Sequence, residues 1–261
     1  MTPTNLRPAL AQHLASRLQA FQDGFRHNLA VIGPPGSGKT FQLQHLLQHR
    51  PPQLLIIYCP FYRESCRSLV QRLLIAILQA GLAHAPAPAP SAGDEISPSL
   101  EAWLRRAQPV LPKTAAAMQP IEALLGRRLY GDAFSRTLDT IPVLIEESQR
   151  PCVLILDEFL GLEESGLTHA FHELGKRVMT WPTTLFMLCS SSPHRARAIL
   201  RERLQLLFGQ FELLTMDALE PQTATAWVHH ELRALKGGEA DPELLRKALA
   251  GNQGLRAVEA S

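Results

Sequence analysis

Residues 31–41, Val-Ile-Gly-Pro-Pro-Gly-Ser-Gly-Lys-Thr-Phe, decide how the rest of the chain is read. Gly33, Pro34, Pro35, Gly36, Ser37, Gly38, Lys39 and Thr40 satisfy G-x-x-x-x-G-K-[ST] without departure. An apolar run, residues 28–32, precedes the motif, and a helical pattern over 40–49 follows it. The spacing has a physical reason. Glycines permit positive φ and close backbone approach, so successive N–H groups converge on one anion. The helix that follows adds its N-terminal partial charge. Lys39 is placed to reach the β- and γ-phosphates, and the Thr40 hydroxyl to ligate Mg²⁺. Pro34 and Pro35 stiffen the turn before the backbone must donate.

Such a loop holds phosphates in enzymes that transfer them and in proteins that only sense them. PCVLILDEF, residues 151–159, bears on that choice. Cys152 to Leu156 are uninterruptedly apolar, as suits a central strand buried on both faces. Asp157 and Glu158 follow at its carboxyl end, where open α/β sheets bind ligands. Successive side chains alternate, so the two acids should diverge. Asp157 is expected to serve the metal, and Glu158 to polarise a water aimed at the γ-phosphate. A plain acidic turn is the bland alternative, and the intact phosphate loop weighs against it.

Working outward, residues 8–22 carry Leu10, Leu14, Leu18 and Phe21 at helical spacing behind a proline suited to a first turn. Further strands are expected at 54–59, 184–192 and within 208–214, and helices at about 64–80, 132–148, 167–180 and 194–203. Residues 84–99, HAPAPAPSAGDEISPS, can form neither a helix nor a paired strand and read as an extended linker. An Ala/Leu/Arg-rich stretch, 100–130, reads as helical. Alternation of strand and helix argues for a parallel sheet covered on both faces. The expected division is a core over 1–216, with an insert at about 84–130, and a small helical lid over 217–261.

Of the 261 residues, 46% are hydrophobic, enough for a sizeable core. The net charge of +2, from 26 basic and 24 acidic residues, lends no support to a nucleic-acid or membrane partner, although DNA stays open. Cys59, Cys152 and Cys189 lie in or beside apolar runs and read as buried thiols, which suits a reducing compartment. The start of the chain has no apolar signal centre and no run is long enough to span a membrane, so the expected location is cytoplasmic. His45 and His49, and His169 with Glu173, have i,i+4 spacing but no third ligand in view, and earn no metal assignment.

With both motifs placed, the chain resembles the AAA+ ATPases and their STAND relatives. The likeness is nearest to replication-initiator (origin-recognition) ATPases and archaeal-type P-loop ATPases. NLAVIGPPGSGKT, IIYCPFYRESCRSLVQRLL, LCSSSPHRARAIL and AGNQGLRAV carry the more telling part of it. The resemblance implies a five-stranded P-loop sheet with a C-terminal helical lid, and ATP and Mg²⁺ as ligands. It also implies a γ-phosphate sensor at the end of the fourth strand, where Ser191 or Ser192 falls; a hydroxyl-rich turn capping the helix from Pro193 stands beside that reading. Arg256 resembles a lid sensor, although the glycine-to-arginine spacing departs from the initiators'. Arg195, Arg197, Arg201 and Arg203 are candidates for a finger given to a neighbouring subunit, but Gln210 replaces the arginine that archaeal-type relatives carry. A winged-helix DNA-binding domain has no room before Ser261.

The function expected is Mg-dependent ATP hydrolysis driving conformational switching, with a protein partner or homo-oligomer compatible. The alternative is a nucleotide-gated scaffold that barely turns over alone. A small-molecule kinase would want an arginine-rich lid where an Ala-Pro linker stands.

Overall fold

Five apolar runs pair into one sheet, and all of its neighbours are parallel. A computed structural model describes residues 7–84, 99–203 and 210–218. The strands are β1 (Asn28–Ile32), β2 (Leu55–Pro60), β3 (Cys152–Asp157), β4 (Thr184–Ser190) and β5 (Phe211–Thr215), in the order β2-β3-β4-β1-β5. The central strands β1, β3 and β4 are buried along their whole length, which explains why their sequences run apolar instead of alternating.

The strand period of two divides the core. Leu29, Val31, Ile56, Val153, Ile155 and Met187 point to one face, where α1 (Pro8–Gln22) and α2 (Lys39–Gln48) lay down Leu14, Leu18, Phe21, Leu43 and Leu46. Ala30, Ile32, Ile57, Cys59, Leu154, Leu156 and Phe186 point to the other. That face is covered by α3 (Cys66–Leu82), α6 (Tyr130–Ser148), α8 (Ala170–Thr180) and α9 (Pro193–Glu202). A short turn of helix, α7 (Gly161–Glu164), follows β3.

The stretch expected to be helical between 100 and 130 forms α4 (Leu100–Ala107) and α5 (Pro112–Gly126), which share the second core. Glu147 of α6 caps α5 from outside, accepting from the backbone N–H groups of Lys113 and Thr114 and from the Thr114 hydroxyl. Buried Arg177 joins α8 to α6. Its guanidinium donates to Asp139, to the Glu173 carboxylate and to both the carbonyl and hydroxyl of Ser135. At the β5 edge, Glu212 takes Arg17 Nε at 2.7 Å and His13 Nε2 at 2.9 Å, both from α1.

The fourth strand ends at Ser190, two residues earlier than its apolar pattern suggests, because the Ser190 hydroxyl accepts the Ser192 N–H and turns the chain into α9. Cys59, Cys152 and Cys189 are buried free thiols. No helix among the described residues is long and apolar enough to cross a membrane. Residues 85–98 of the linker expected at 84–99, the helical segment expected from Pro221, and Arg256 lie outside the described residues.

Candidate nucleotide site

The glycine-rich turn leaves β1 and folds on itself. Gly33 N–H donates to Ser190 O at the end of β4, and Ser37 N–H to Pro34 O, both at 3.2 Å. Gly36 and Gly38 take φ of 74° and 86°, in the left-handed region where a side chain would strain the backbone. Gly38 is also the N-cap of α2, and no side chain caps that helix. Its first turn therefore presents backbone donors and dipole together, an arrangement that suits an anion.

Lys39 is buried. Its Nζ donates to Gly33 O at 2.7 Å, Pro34 O at 3.0 Å and Ser37 Oγ at 3.3 Å. An ammonium has three protons, so the loop itself engages all of them. Burial lowers the Lys39 pKa from its ordinary value, and the negative charges of Glu158 and Asp157 push it back up. Thr40 lies exposed one residue on.

Asp157 ends β3 only 5% exposed. Its Oδ2 accepts the Tyr58 hydroxyl at 2.9 Å, and its Oδ1 the Glu158 N–H at 3.1 Å. Burial raises its pKa above the usual carboxylate value, and the Tyr58 hydrogen bond opposes that. Glu158 lies beyond the strand in a left-handed turn with φ 51°. Its carboxylate accepts the Ser191 N–H at 2.9 Å and, in a shorter bond, the Ser191 hydroxyl. The acids do diverge, Asp157 toward β2 and Glu158 toward the end of β4, but the left-handed turn separates them where the pleat has already ended.

The two serines differ in their contacts. Ser191 grips Glu158, whereas Ser192 is the N-cap residue of α9 without a capping side-chain bond. Among the arginines of α9 and its end, Arg195 donates twice to Glu163, and Arg203 lies 3.6 Å from the same carboxylate. Arg197 reaches the Thr215 hydroxyl at 3.4 Å.

Cradle, lysine and both acids thus sit together at the carboxyl ends of β1 and β3, the end where sheets of this kind bind ligands. Residues 7–186, well over half of the chain, match the AAA ATPase domain family. The chain belongs to the AAA ATPases. Among solved structures, the fold of this AAA ATPase is similar to that of the Aeropyrum pernix ORC2 protein. Against its ADPNP-ADP complexes the TM-score is 0.52 at 15% identity, covering 87% of this chain and 52% of that one. Against its ADP form the score is 0.53 at 15% identity, covering 93% and 55%. The likeness is one of fold, and the AAA ATPase chain spans about half the length of these structures. No curated protein matches it.

Two contacts of the site had no signal in the motifs. Tyr58, a hydroxyl in the otherwise apolar run 54–59, proves to be the partner of Asp157. Arg7, ahead of α1, donates Nε to Ser37 O at 3.1 Å and Nη2 to the Asp217 carbonyl, tying the phosphate loop to the chain just beyond β5. The lone polar side chain in that apolar strand could have flagged Tyr58. Nothing local could have flagged Arg7.

Proposed function

We propose that this AAA ATPase binds Mg·ATP and hydrolyses it, and that the cycle moves the segment expected to form a lid over 217–261. The observation that carries the reading is that the phosphate loop and both acids meet at one end of the sheet: Gly33 N–H bonds Ser190 O, Glu158 holds the next residue, Ser191, and Asp157 ends the adjoining strand β3, beside an α2 N-terminus that no side chain caps. Amides of Gly36, Ser37, Gly38, Lys39 and Thr40 would bind the phosphates, and Lys39 would exchange its loop acceptors for phosphate oxygens. The oxygen donors on offer, the Asp157 carboxylate and Thr40 hydroxyl, suit Mg²⁺, a cation that takes few protein ligands and fills its remaining positions with water and phosphate. Bound there, Mg²⁺ would neutralise charge on the phosphates. Among the described residues no three His, Cys, Asp or Glu side chains converge to form an all-protein cage.

Glu158, turned away from Asp157, would accept a proton from the attacking water while that oxygen forms its bond to the γ-phosphorus and the bond to the ADP oxygen breaks. Ser191 would act as the γ-phosphate sensor. Adenine as the base draws support from the ADPNP and ADP bound in the ORC2 structures of the same fold. Coupling to the lid draws support from Met216, whose N–H donates to Ile32 O at 2.7 Å, and from the Arg7 link to Asp217.

Glu158→Gln keeps an oxygen for the Ser191 N–H but removes the base. Phosphate release should fall by about 10²–10⁴-fold while ATP affinity survives. Turnover unchanged in that variant would sink the role assigned to Glu158.

A second reading, a nucleotide-gated scaffold with negligible turnover of its own, is favoured by the grip of Ser191 on Glu158 and by Gln210. Single-turnover rates with and without a protein partner or DNA separate the two, since a gated site accelerates when its missing group arrives.

A further inference from the structure

We propose that Tyr58 is a positioning residue: its hydroxyl fixes the Asp157 carboxylate in the orientation that the nucleotide's divalent cation requires. The inference rests on the reading above, in which Asp157 serves that cation.

The residues around Tyr58 set the problem. Ile56, Ile57 and Cys59 are buried and apolar, and packing alone would be satisfied by phenylalanine at the same place. Tyr58 pairs in register with Ile155, two residues before Asp157, and strand alternation puts Tyr58, Ile155 and Asp157 on one face of the sheet. The half-buried ring thereby spans from β2 to the end of β3 and delivers its O–H to Asp157 Oδ2 at 2.9 Å.

The second oxygen, Oδ1, accepts the Glu158 N–H at 3.1 Å. With one donor on each oxygen, the carboxylate plane is pinned on both sides. Each oxygen keeps a further lone pair, so neither bond uses up its capacity to meet a cation.

The chemistry of the partner matters as much as its position. An arginine or lysine on Oδ2 would neutralise the carboxylate and repel a divalent ion. A phenol orients it and leaves its charge intact, in the manner of the groups that hold metal ligands in place from behind. Lys39, a cation whose field reaches Asp157, makes its three hydrogen bonds to the loop and none to that carboxylate.

The test uses the full chain with ADP and Mn²⁺, whose free ion is read by electron paramagnetic resonance. Tyr58→Phe should bind ADP in EDTA as wild type does, yet hold Mn²⁺ in the protein–ADP complex about 10-fold or more weakly. Tyr62→Phe, which alters an exposed tyrosine with Arg72 over its ring, should leave Mn²⁺ affinity unchanged. Wild-type Mn²⁺ affinity in Tyr58→Phe, with or without a lowered melting temperature, overturns the proposal and leaves Tyr58 a packing residue. Should the phenylalanine variant fail to fold, Tyr58→Met keeps apolar bulk without a donor and is read the same way. Asp157→Ala separates the two levels. If it keeps full Mn²⁺ affinity, the assignment of Asp157 to the cation fails; if it loses the ion while Tyr58→Phe does not, only the tyrosine's role fails.

Discussion

Gly33→Ala tests whether the phosphate loop and the chain leaving β5 form one packed unit. A Cβ built at Gly33 would lie 2.3 Å from Met216 O, 2.9 Å from Met216 Cβ and 2.9 Å from Ser37 Oγ. Ordinary carbon contacts begin at about 3.5 Å, so backbone must retreat by roughly 1 Å. Two of the three obstacles belong to Met216, which is 1% exposed and bonded through its N–H to Ile32 O at 2.7 Å. Losing that hydrogen bond costs about 1 kcal/mol, and the overpacking about 1–3 kcal/mol more, so we expect about 2–4 kcal/mol of destabilisation. For a chain of this size that lowers the melting temperature by about 5–15 °C.

The third obstacle, Ser37 Oγ, is a Lys39 acceptor, so the loop moves with the clash. Mg·ADP affinity should fall by about 10–100-fold, the worth of one hydrogen bond to a charged group. Differential scanning fluorimetry and calorimetric titration with Mg·ADP read the two effects. Gly126→Ala at the end of α5 is the control, because nothing lies within 4 Å of its added Cβ. It should be neutral or stabilise by about 0.4–1 kcal/mol. A Gly33→Ala protein that melts within about 2 °C of wild type and binds Mg·ADP normally would refute the packing argument.

Lys39→Met should abolish measurable Mg·ATP binding in the same titration, while the melting temperature stays near wild type or rises because a buried ammonium is gone. Ser191→Ala keeps the N–H donor to Glu158 but not the hydroxyl; ATP affinity should hold while phosphate release changes at least about 10-fold, and an unchanged rate removes Ser191 from the site. Arg177→Met strips Glu173, Asp139 and Ser135 of one shared partner and should cost about 2–4 kcal/mol in urea unfolding, less than a fully buried pair because both carboxylates can rehydrate. The Arg177 and Ser135 hydrogen bonds hold the Glu173 pKa below its ordinary value of 4.5. The depressed value means stability that is present above pH 4.5 and lost as pH falls through the folded-state pKa, so acid unfolding curves of wild type and Arg177→Met should converge at low pH.

What the sequence disclosed about this fold follows from how local each signal is. Residues 28–32 and 152–156 were legible as strands because burial on both faces leaves a continuous apolar run, and the phosphate loop because its backbone demands glycine at fixed offsets. Asp157 was legible as the polar end of such a run. Glu158 was expected to diverge from it through the pleat, yet the divergence comes from a left-handed φ that no pattern of apolar residues encodes. The end of β4 was misjudged by two residues, since three serines in a row do not say which hydroxyl folds back on the chain. The hydrogen-bond partners of Tyr58 and Arg7 lay beyond reach for another reason. Tyr58 meets a partner 99 residues away, and Arg7 meets partners 30 and 210 residues away. Periodicity reports which face a side chain takes, not which atom from a distant element awaits it.

The polar groups of the site bond one another, and that shapes what a nucleotide must do to enter it. Lys39 is bonded to its own loop, Glu158 to Ser191, and Asp157 to Tyr58 and a backbone N–H. Binding therefore exchanges hydrogen bonds nearly one for one, and such exchanges yield little net free energy. Affinity has to come from what those bonds lack: a multiply charged anion against a helix N-terminus and an ammonium whose loop partners are neutral carbonyls and a hydroxyl. Under the proposed function, Glu158 would discriminate ATP from ADP, because freeing its carboxylate requires a competitor for the Ser191 hydroxyl and the γ-phosphate is the group ADP lacks. An Asp157→Asn, Glu158→Gln double variant removes both acidic charges while keeping an acceptor oxygen at each site. If it binds Mg-free ATP more tightly than wild type in EDTA, the anion and the carboxylates are competing for one field; equal affinity would place them in separate ones.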